Sequence, residues 1–386
     1  MMQLIELYHS MQYVIYFGTS AQNFEYSEDL TDFGVKIVSI ELNSSSFDEL
    51  LLEINPNVVL FDRFMMEEQY GWRVAKYCPN AIKVLDTEDL HCLRFGRQKA
   101  VKELREFDYS DLISDISKRE IASIYRCDVT LMVSEFEIDL LVSYFKVPKS
   151  ILFYMPIFAK PLIDIPDFDN RSDFVFIGNF LHEPNWDSVR YLSSEIWPSI
   201  HSKLPDVRML IYGSYTSQKV NELHNPRSNI FVLGRADDSL EVVKNSRVML
   251  APLRFGAGIK GKLIESMQCG TPSITTSIGA EGMVSGVFSW NGIIVDNPCL
   301  IANAAIELYQ NEVLWKSSQM NGFSILEEKF NQFSYVDLFV SFFNDICNNL
   351  SLHRQGNFIG LMLQHHSLSS TKYMSKWIEE KNKKSL

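Results

Sequence analysis

The sequence predicts an α/β protein made of two doubly wound units with parallel sheets, and three observations predict it. Short β-rich runs alternate with helix-patterned segments over most of the chain, the pattern of strands joined by helical crossovers. The length of 386 residues corresponds to two domains. A proline-spaced stretch divides the chain, with Pro148, Pro156, Pro161 and Pro166 at short intervals. Each ring fixes φ and removes a donor, which suits an extended connector between packed units.

The elements follow in order. A helical pattern over residues 1–11 opens the chain. Strands are expected at 13–17, 36–40, 58–61, 82–85, 129–133 and 151–154, most of them followed by polar or helix-starting residues. Ser134-Glu135-Phe136-Glu137 reads as a capping box opening a helix. In the second half, strands are expected at 174–177, Met209–Tyr212, 230–233, 248–251, 273–276 and 293–295. After about residue 298 only helical patterns remain. Trp315, Phe330, Phe339, Phe342 and Phe343 fall there at spacings that suit core or inter-domain packing.

Composition excludes several classes. With 36 Lys and Arg against 48 Asp and Glu, the net charge is −12, without the broad basic surface of a nucleic-acid binder. A bound anion must be held by local donors. No apolar run approaches the ~20 residues of a membrane-spanning helix. The opening Met1-Met2-Gln3-Leu4-Ile5-Glu6 lacks the pattern of a signal peptide. Six scattered cysteines without a CxxC pair read as reduced core thiols of a cytoplasmic protein. The tail from Ser370 carries Lys372, Lys376, Lys381, Lys383 and Lys384. It reads either as a weak peripheral contact with the acidic inner face of a membrane or, preferably, as a solvated helix end.

The most informative stretch runs from the strand at 248–251 through Pro252-Leu253-Arg254-Phe255-Gly256-Ala257-Gly258-Ile259-Lys260-Gly261 into a helix. Glycines let a backbone approach a ligand closely, and exposed N–H groups at a helix start form an anion site. Arg254 and Lys260 supply cations suited to a diphosphate without a metal. Glu265 lies about two turns into the helix, in reach of ribose hydroxyls. Read as GxGxxG, with Glu281 about 20 positions on, the stretch also fits an NAD-binding oxidoreductase. That fingerprint belongs to the first strand of a domain, whereas this turn follows the fourth. A turn that merely packs helix against strand is a third reading.

Residues 173–283 resemble the donor domain of retaining GT-B glycosyltransferases of the group 1, family 4 type, in the subset carrying Gly-Ala-Gly-Ile-Lys. The matching pieces are Phe174-Val175-Phe176-Ile177-Gly178-Asn179-Phe180 with His182, Pro184, Asn185 and Asp187, then Glu195-Ile196-Trp197-Pro198 and the strand ending at Gly213. They continue through Arg254, Gly256–Lys260, Glu265-Ser266-Met267-Gln268-Cys269-Gly270-Thr271-Pro272 and Gly279-Ala280-Glu281-Gly282. The resemblance implies a GT-B architecture: an acceptor-side unit at 1–165, a donor unit at 166–330, and a helical extension at 331–386 crossing back onto the first. It implies a UDP- or GDP-sugar as co-substrate, a saccharide or lipid-linked acceptor, no metal, and polysaccharide assembly as the setting. Donor contacts carried over are Gly178, Asn179, Gly213, Arg254, Gly256, Gly258, Ile259, Lys260, Glu265 and Glu281. Ala257 stands where the family usually has a first glutamate, and His182-Glu183-Pro184-Asn185 stands where it often has an Arg and a Lys.

On the acceptor side, ligands bind beyond the carboxyl ends of strands. The segment Asp86-Thr87-Glu88-Asp89-Leu90-His91 occupies such an end. His91, Asp86 and Glu88 are the catalytic candidates there, with Arg254 and Lys260 opposite. Helix caps and surface ion pairs are the competing reading for Thr87 and Asp89. The family's N-terminal unit opens with a strand and a Gly-rich loop. This chain starts at the following helix, and Gly18 is the only glycine before Gly34. Either that strand is lost or the sequence starts late; if the strand is absent, a gap or exposed edge is expected in the first sheet, and with it a non-catalytic nucleotide-sugar-binding protein as the alternative function. Asp167-Phe168-Asp169 lies in the proline-rich connector rather than after a strand, and His365-His366 lacks the spacing of a zinc helix.

Overall fold

The computed structural model describes residues 1–20 and 28–383, apart from the side chains of 366–368. Lys384 and the His366 side chain lie outside that description. All twelve expected strands form, within two residues at each end except the first, which starts three residues later than expected. They are β1 (Tyr16–Thr19), β2 (Lys36–Ser39), β3 (Val58–Asp62), β4 (Ile82–Asp86), β5 (Val129–Met132), β6 (Leu152–Tyr154), β7 (Ser172–Ile177), β8 (Met209–Tyr212), β9 (Ile230–Gly234), β10 (Ser246–Ala251), β11 (Ser273–Thr275) and β12 (Gly292–Ile294). Every pair is parallel, as helical crossovers require.

The second unit is a six-stranded sheet in the order β12-β11-β10-β7-β8-β9. That is a doubly wound sheet whose order reverses between β7 and β10, so loops leaving those two strands diverge and open a crevice. Its strands read as continuous apolar runs because both faces are covered. Phe174, Phe176, Val248 and Leu250 pack with Trp197 and Trp315 on one face, and Val175, Met249 and Ala251 with Leu263 and Met267 on the other.

The first unit is divided. β3-β4-β5-β6 form one sheet, while among the described residues β1 and β2 pair only with each other. Ile15, just before β1, packs both with Ile5 and Val35 and with the cluster containing Val58 and Leu60. Side chains therefore bridge the two pieces where no strand hydrogen bonds do, and the expected interruption of this sheet is present.

Two long helices, Phe333–Gly356 and Phe358–Lys383, return to the first unit. Phe339, Phe343 and Ile346 pack on Val84, Val129 and Leu131. Arg354 donates to both Asp128 carboxylate oxygens at 2.8 Å and to the carbonyls of Pro79 and Ala81. Trp315 and Phe330 are buried as expected, and Phe342 partly so. Four cysteines are buried, but Cys299 and Cys347 are exposed, so the reading of all six as core thiols is corrected. Both sit on outward-facing turns of helices, a direction that composition does not reveal.

The capping box is corrected as well. Ser134 does precede the helix Glu135–Ser143, yet its side chain makes no cap hydrogen bond. Glu137 turns away into the space between the two units, where backbone N–H groups from distant segments offer partners.

Candidate donor and acceptor site

A cavity of about 480 Å³ lies at the carboxyl ends of β7, β8 and β10. Ile177, Gly178 and Asn179 wall one side, Gly213 a second, and the Gly256–Gly261 turn a third. The glycines are there for closeness. A Cβ on Gly213 would meet the Gly178 carbonyl oxygen at 2.0 Å, and one on Gly178 would meet Asn185 at 2.8 Å. Gly258 has φ +62° and its Cβ position falls 2.7 Å from Asp89 of the first unit, so the turn touches the opposite wall of the cleft.

Of the predicted donor residues, Gly178, Asn179, Gly213, Gly256, Ile259, Lys260 and Glu265 line this cavity. Glu265 lies on the helix Gly261–Gln268, and burial raises its carboxyl above the usual range while the Lys262 ammonium acts to lower it. Lys260 is buried, donates from Nζ to the Gly258 carbonyl at 2.8 Å, and is pushed below the usual lysine range by desolvation. Gly258 stands behind the turn, with its N–H donated at 2.7 Å to Glu137.

Arg254 and Glu281 are placed elsewhere. Arg254 forms a fork on Asp187, with Nε 2.9 Å from Oδ2, and lies over the Tyr191 ring. Glu281 receives both terminal nitrogens of Arg97 at 2.7 and 2.8 Å, and Arg97 also donates to the Gly256 carbonyl. That pair ties the two units together. It also occupies the carboxylate that the dinucleotide reading assigned to a ribose.

Lys262 was missed. It is pushed down to about 7 by desolvation, donates to Asn185 Oδ1 at 2.5 Å and lies 4.1 Å from the Phe176 ring centroid. The signal was legible, because Lys260 and Lys262 flank Gly261 at the helix start.

Across the cleft, His91 Nε2 lies 3.5 Å from Asp89, and burial, with Arg94 nearby, lowers the imidazole to about 4. Arg94 pairs with Asp89 and approaches His182 Nε2 at 3.4 Å, so the polar chain from His91 crosses to the cavity wall. Asp86 ends β4 and is raised to about 6, chiefly by burial. Glu88 sits at φ +58°, about half exposed and facing Arg63 at 3.7 Å, outside the chain of contacts that includes His91.

The start of the helix His91–Lys102 is capped by residues far away in sequence. Glu120 accepts from the N–H groups of His91 and Cys92 at 2.8 and 2.9 Å, and Glu137 from that of Leu90. For Thr87 and Asp89 the capping half of the competing reading is thus replaced, Thr87 Oγ1 donating to the Leu131 carbonyl, while the ion-pair half holds for Asp89, which pairs with Arg94. Among the described residues no group of three or more acidic, His or Cys side chains is arranged for a metal. No described helix is long and apolar enough to cross a membrane.

The cavity lies at the switch point of a six-stranded parallel sheet and faces a second parallel-sheet unit across a cleft. Residues 171–311 match the family described as glycosyl transferases group 1. The second unit is similar to that family. Over 247 residues the chain is 22% identical to an uncharacterised 44.6 kDa protein in the cps region of Klebsiella pneumoniae, covering 61% of each.

Among solved structures, a sucrose-phosphate synthase from Thermosynechococcus elongatus superposes with a TM-score of 0.66 at 16% identity, covering 89% of this chain and 92% of that one. The Anabaena protein HepE, solved with UDP and glucose, gives 0.62 at 13% identity, with 90% and 94% covered. TarM gives 0.61 at 16%, covering 77% of this chain but only 57% of its own length. The chain thus spans less than two thirds of some relatives, and what it shares with these structures is the GT-B fold.

Proposed function

We propose that this protein transfers a hexose from a UDP- or GDP-sugar to a hydroxyl of a saccharide or lipid-linked saccharide, with retention of anomeric configuration and without a metal. The observation that carries the reading is the pairing of Lys260, Lys262 and Glu265 in one cavity at the sheet's switch point, within a segment similar to group 1 glycosyltransferases. Glu265 would hold the donor ribose. The two lysines would take the diphosphate and offset charge as the leaving group departs, an electrostatic contribution that often dominates rate enhancement. Both are short of full charge in the protein alone because burial penalises the ammonium, so an arriving diphosphate restores it. His91 is neutral at physiological pH and serves as a hydrogen-bond partner for acceptor or sugar. Asp86 supports that loop from the strand end. Retention then has the leaving phosphate oxygen take the acceptor proton.

The test is incubation with UDP- and GDP-sugars and hydroxyl acceptors in the presence of EDTA, following nucleotide release and the anomeric proton of the product. Transfer with inversion, or only with added metal, overturns the mechanism. A second reading is a nucleotide-sugar-binding protein without turnover. It is favoured by the divided first sheet and by Glu137 occupying the Gly258 N–H. Donor binding with no release against any acceptor would establish it.

A further inference from the structure

The helix Phe358–Lys383 is turned the opposite way from an ordinary surface helix. Its inward side rests on the helices Phe64–Tyr77 and Asp115–Arg126 through Leu363, which packs on the core of the first unit, and otherwise largely through small and polar residues. Gly360 lies against the Tyr125 carbonyl, Gln364 donates to the Arg126 carbonyl at 2.9 Å, and the buried Ser375 reaches Asn43. The outward side carries Phe358, Ile359, Met362, Tyr373 and Trp377, of which Tyr373 and Trp377 are 66% and 64% exposed. At about 100° per residue these five fall within a stripe roughly 100° wide. A globular helix places such a stripe against its core.

Basic residues flank it. Lys376 and Lys383 lie on one side and Lys381 on the other, with Lys381 Nζ 5.3 Å from the Trp377 ring centroid and Lys372 Nζ 5.6 Å from that of Tyr373. Glu379 and Glu380 sit between them, both within 3.6 Å of Lys383. Four lysines against two glutamates make this segment locally cationic on a chain of net charge −12. Aromatic rings with an apolar body and a polar edge, beside lysines with long stems, suit the headgroup layer of a bilayer.

We propose that this outward stripe is a docking surface for an anionic bilayer, with Trp377 and Tyr373 as interfacial anchors and the flanking lysines on lipid phosphates. The helix would lie in the membrane plane. Because it is mounted on the first unit, docking brings that unit, the acceptor side in the function proposed above, to the bilayer.

The experiment is co-sedimentation of the full chain with phosphatidylcholine vesicles, with and without about thirty per cent phosphatidylglycerol, beside two double variants. The wild type should partition at least tenfold better onto the anionic vesicles and be released by salt. Tyr373→Ser with Trp377→Ser should lose about tenfold or more. Lys376→Gln with Lys381→Gln should lose about 25-fold, from a factor of about five per lysine charge removed. Both pairs are exposed, and an unchanged unfolding midpoint shows that each variant folds. The proposal fails if the wild type stays in the supernatant or if both variants sediment like it. It fails too if light scattering shows a dimer that the aromatic variant abolishes while vesicles bind nothing, because a second copy then covers the face. These readouts do not depend on sugar transfer, so an inactive enzyme leaves the result interpretable.

Discussion

Donor binding should be linked to proton uptake at Lys262. In the free protein desolvation holds its ammonium at about 7, against an ordinary value of 10.5. A diphosphate favours the charged form, so the bound-state value lies above the free one. The lysine's contribution is then complete below about 7 and is lost as pH rises from there toward the bound-state value. Between about pH 6 and about pH 8.5, a return to the ordinary value implies that affinity for a UDP- or GDP-sugar falls about thirty-fold, or roughly 2 kcal/mol. A sugar conjugate is the right probe because its diphosphate lacks the secondary phosphate ionisation near 6 that would mask the effect. Titration calorimetry in buffers of different ionisation enthalpy should show close to one proton taken up near pH 8. Lys262→Gln should bind more weakly at about pH 6 and lose most of the slope, leaving a residue from Lys260, which burial displaces in the same direction. A wild-type affinity that is flat across this range would refute the assignment of Lys262 to the diphosphate.

Glu265→Ala should weaken donor binding about ten- to a hundredfold, the scale of a hydrogen bond to a charged group. Arg254→Ala should leave donor affinity nearly intact in the same titration, since its guanidinium is spent on Asp187. Gly258→Ala should depress transfer more than donor binding in steady-state kinetics, because the added methyl meets Asp89 and the Glu88 carbonyl at 2.7 and 2.8 Å and forces the two units apart. Arg354→Ala should destabilise the fold by about 3 kcal/mol, a drop on the order of 4 °C in unfolding midpoint, because Asp128 is buried and loses its charge partner.

Much of this protein was legible in one dimension. Strand positions were readable because a parallel sheet covered on both faces demands continuous apolar runs such as Phe174-Val175-Phe176-Ile177. The cavity's glycines were readable because only glycine permits the approach seen at Gly178 and Gly213.

What the sequence did not disclose is how each charge is spent. Glu137 has the spacing of a local cap, and Ser134 the identity of its partner, yet the carboxyl reaches Leu90 and Gly258 instead. Arg254 and Glu281 have the types and spacing of ligand contacts, but Asp187 and Arg97 hold them. Lys262, passed over in the sequence, is the cation that burial leaves undercharged beside the cavity. Local hydrophobic pattern and backbone sterics depend on near neighbours and are encoded residue by residue. A buried charge takes whichever partner the fold brings within about 3 Å, because leaving it unpaired costs several kcal/mol. That choice is made between segments a hundred residues apart, and only the tertiary structure decides it.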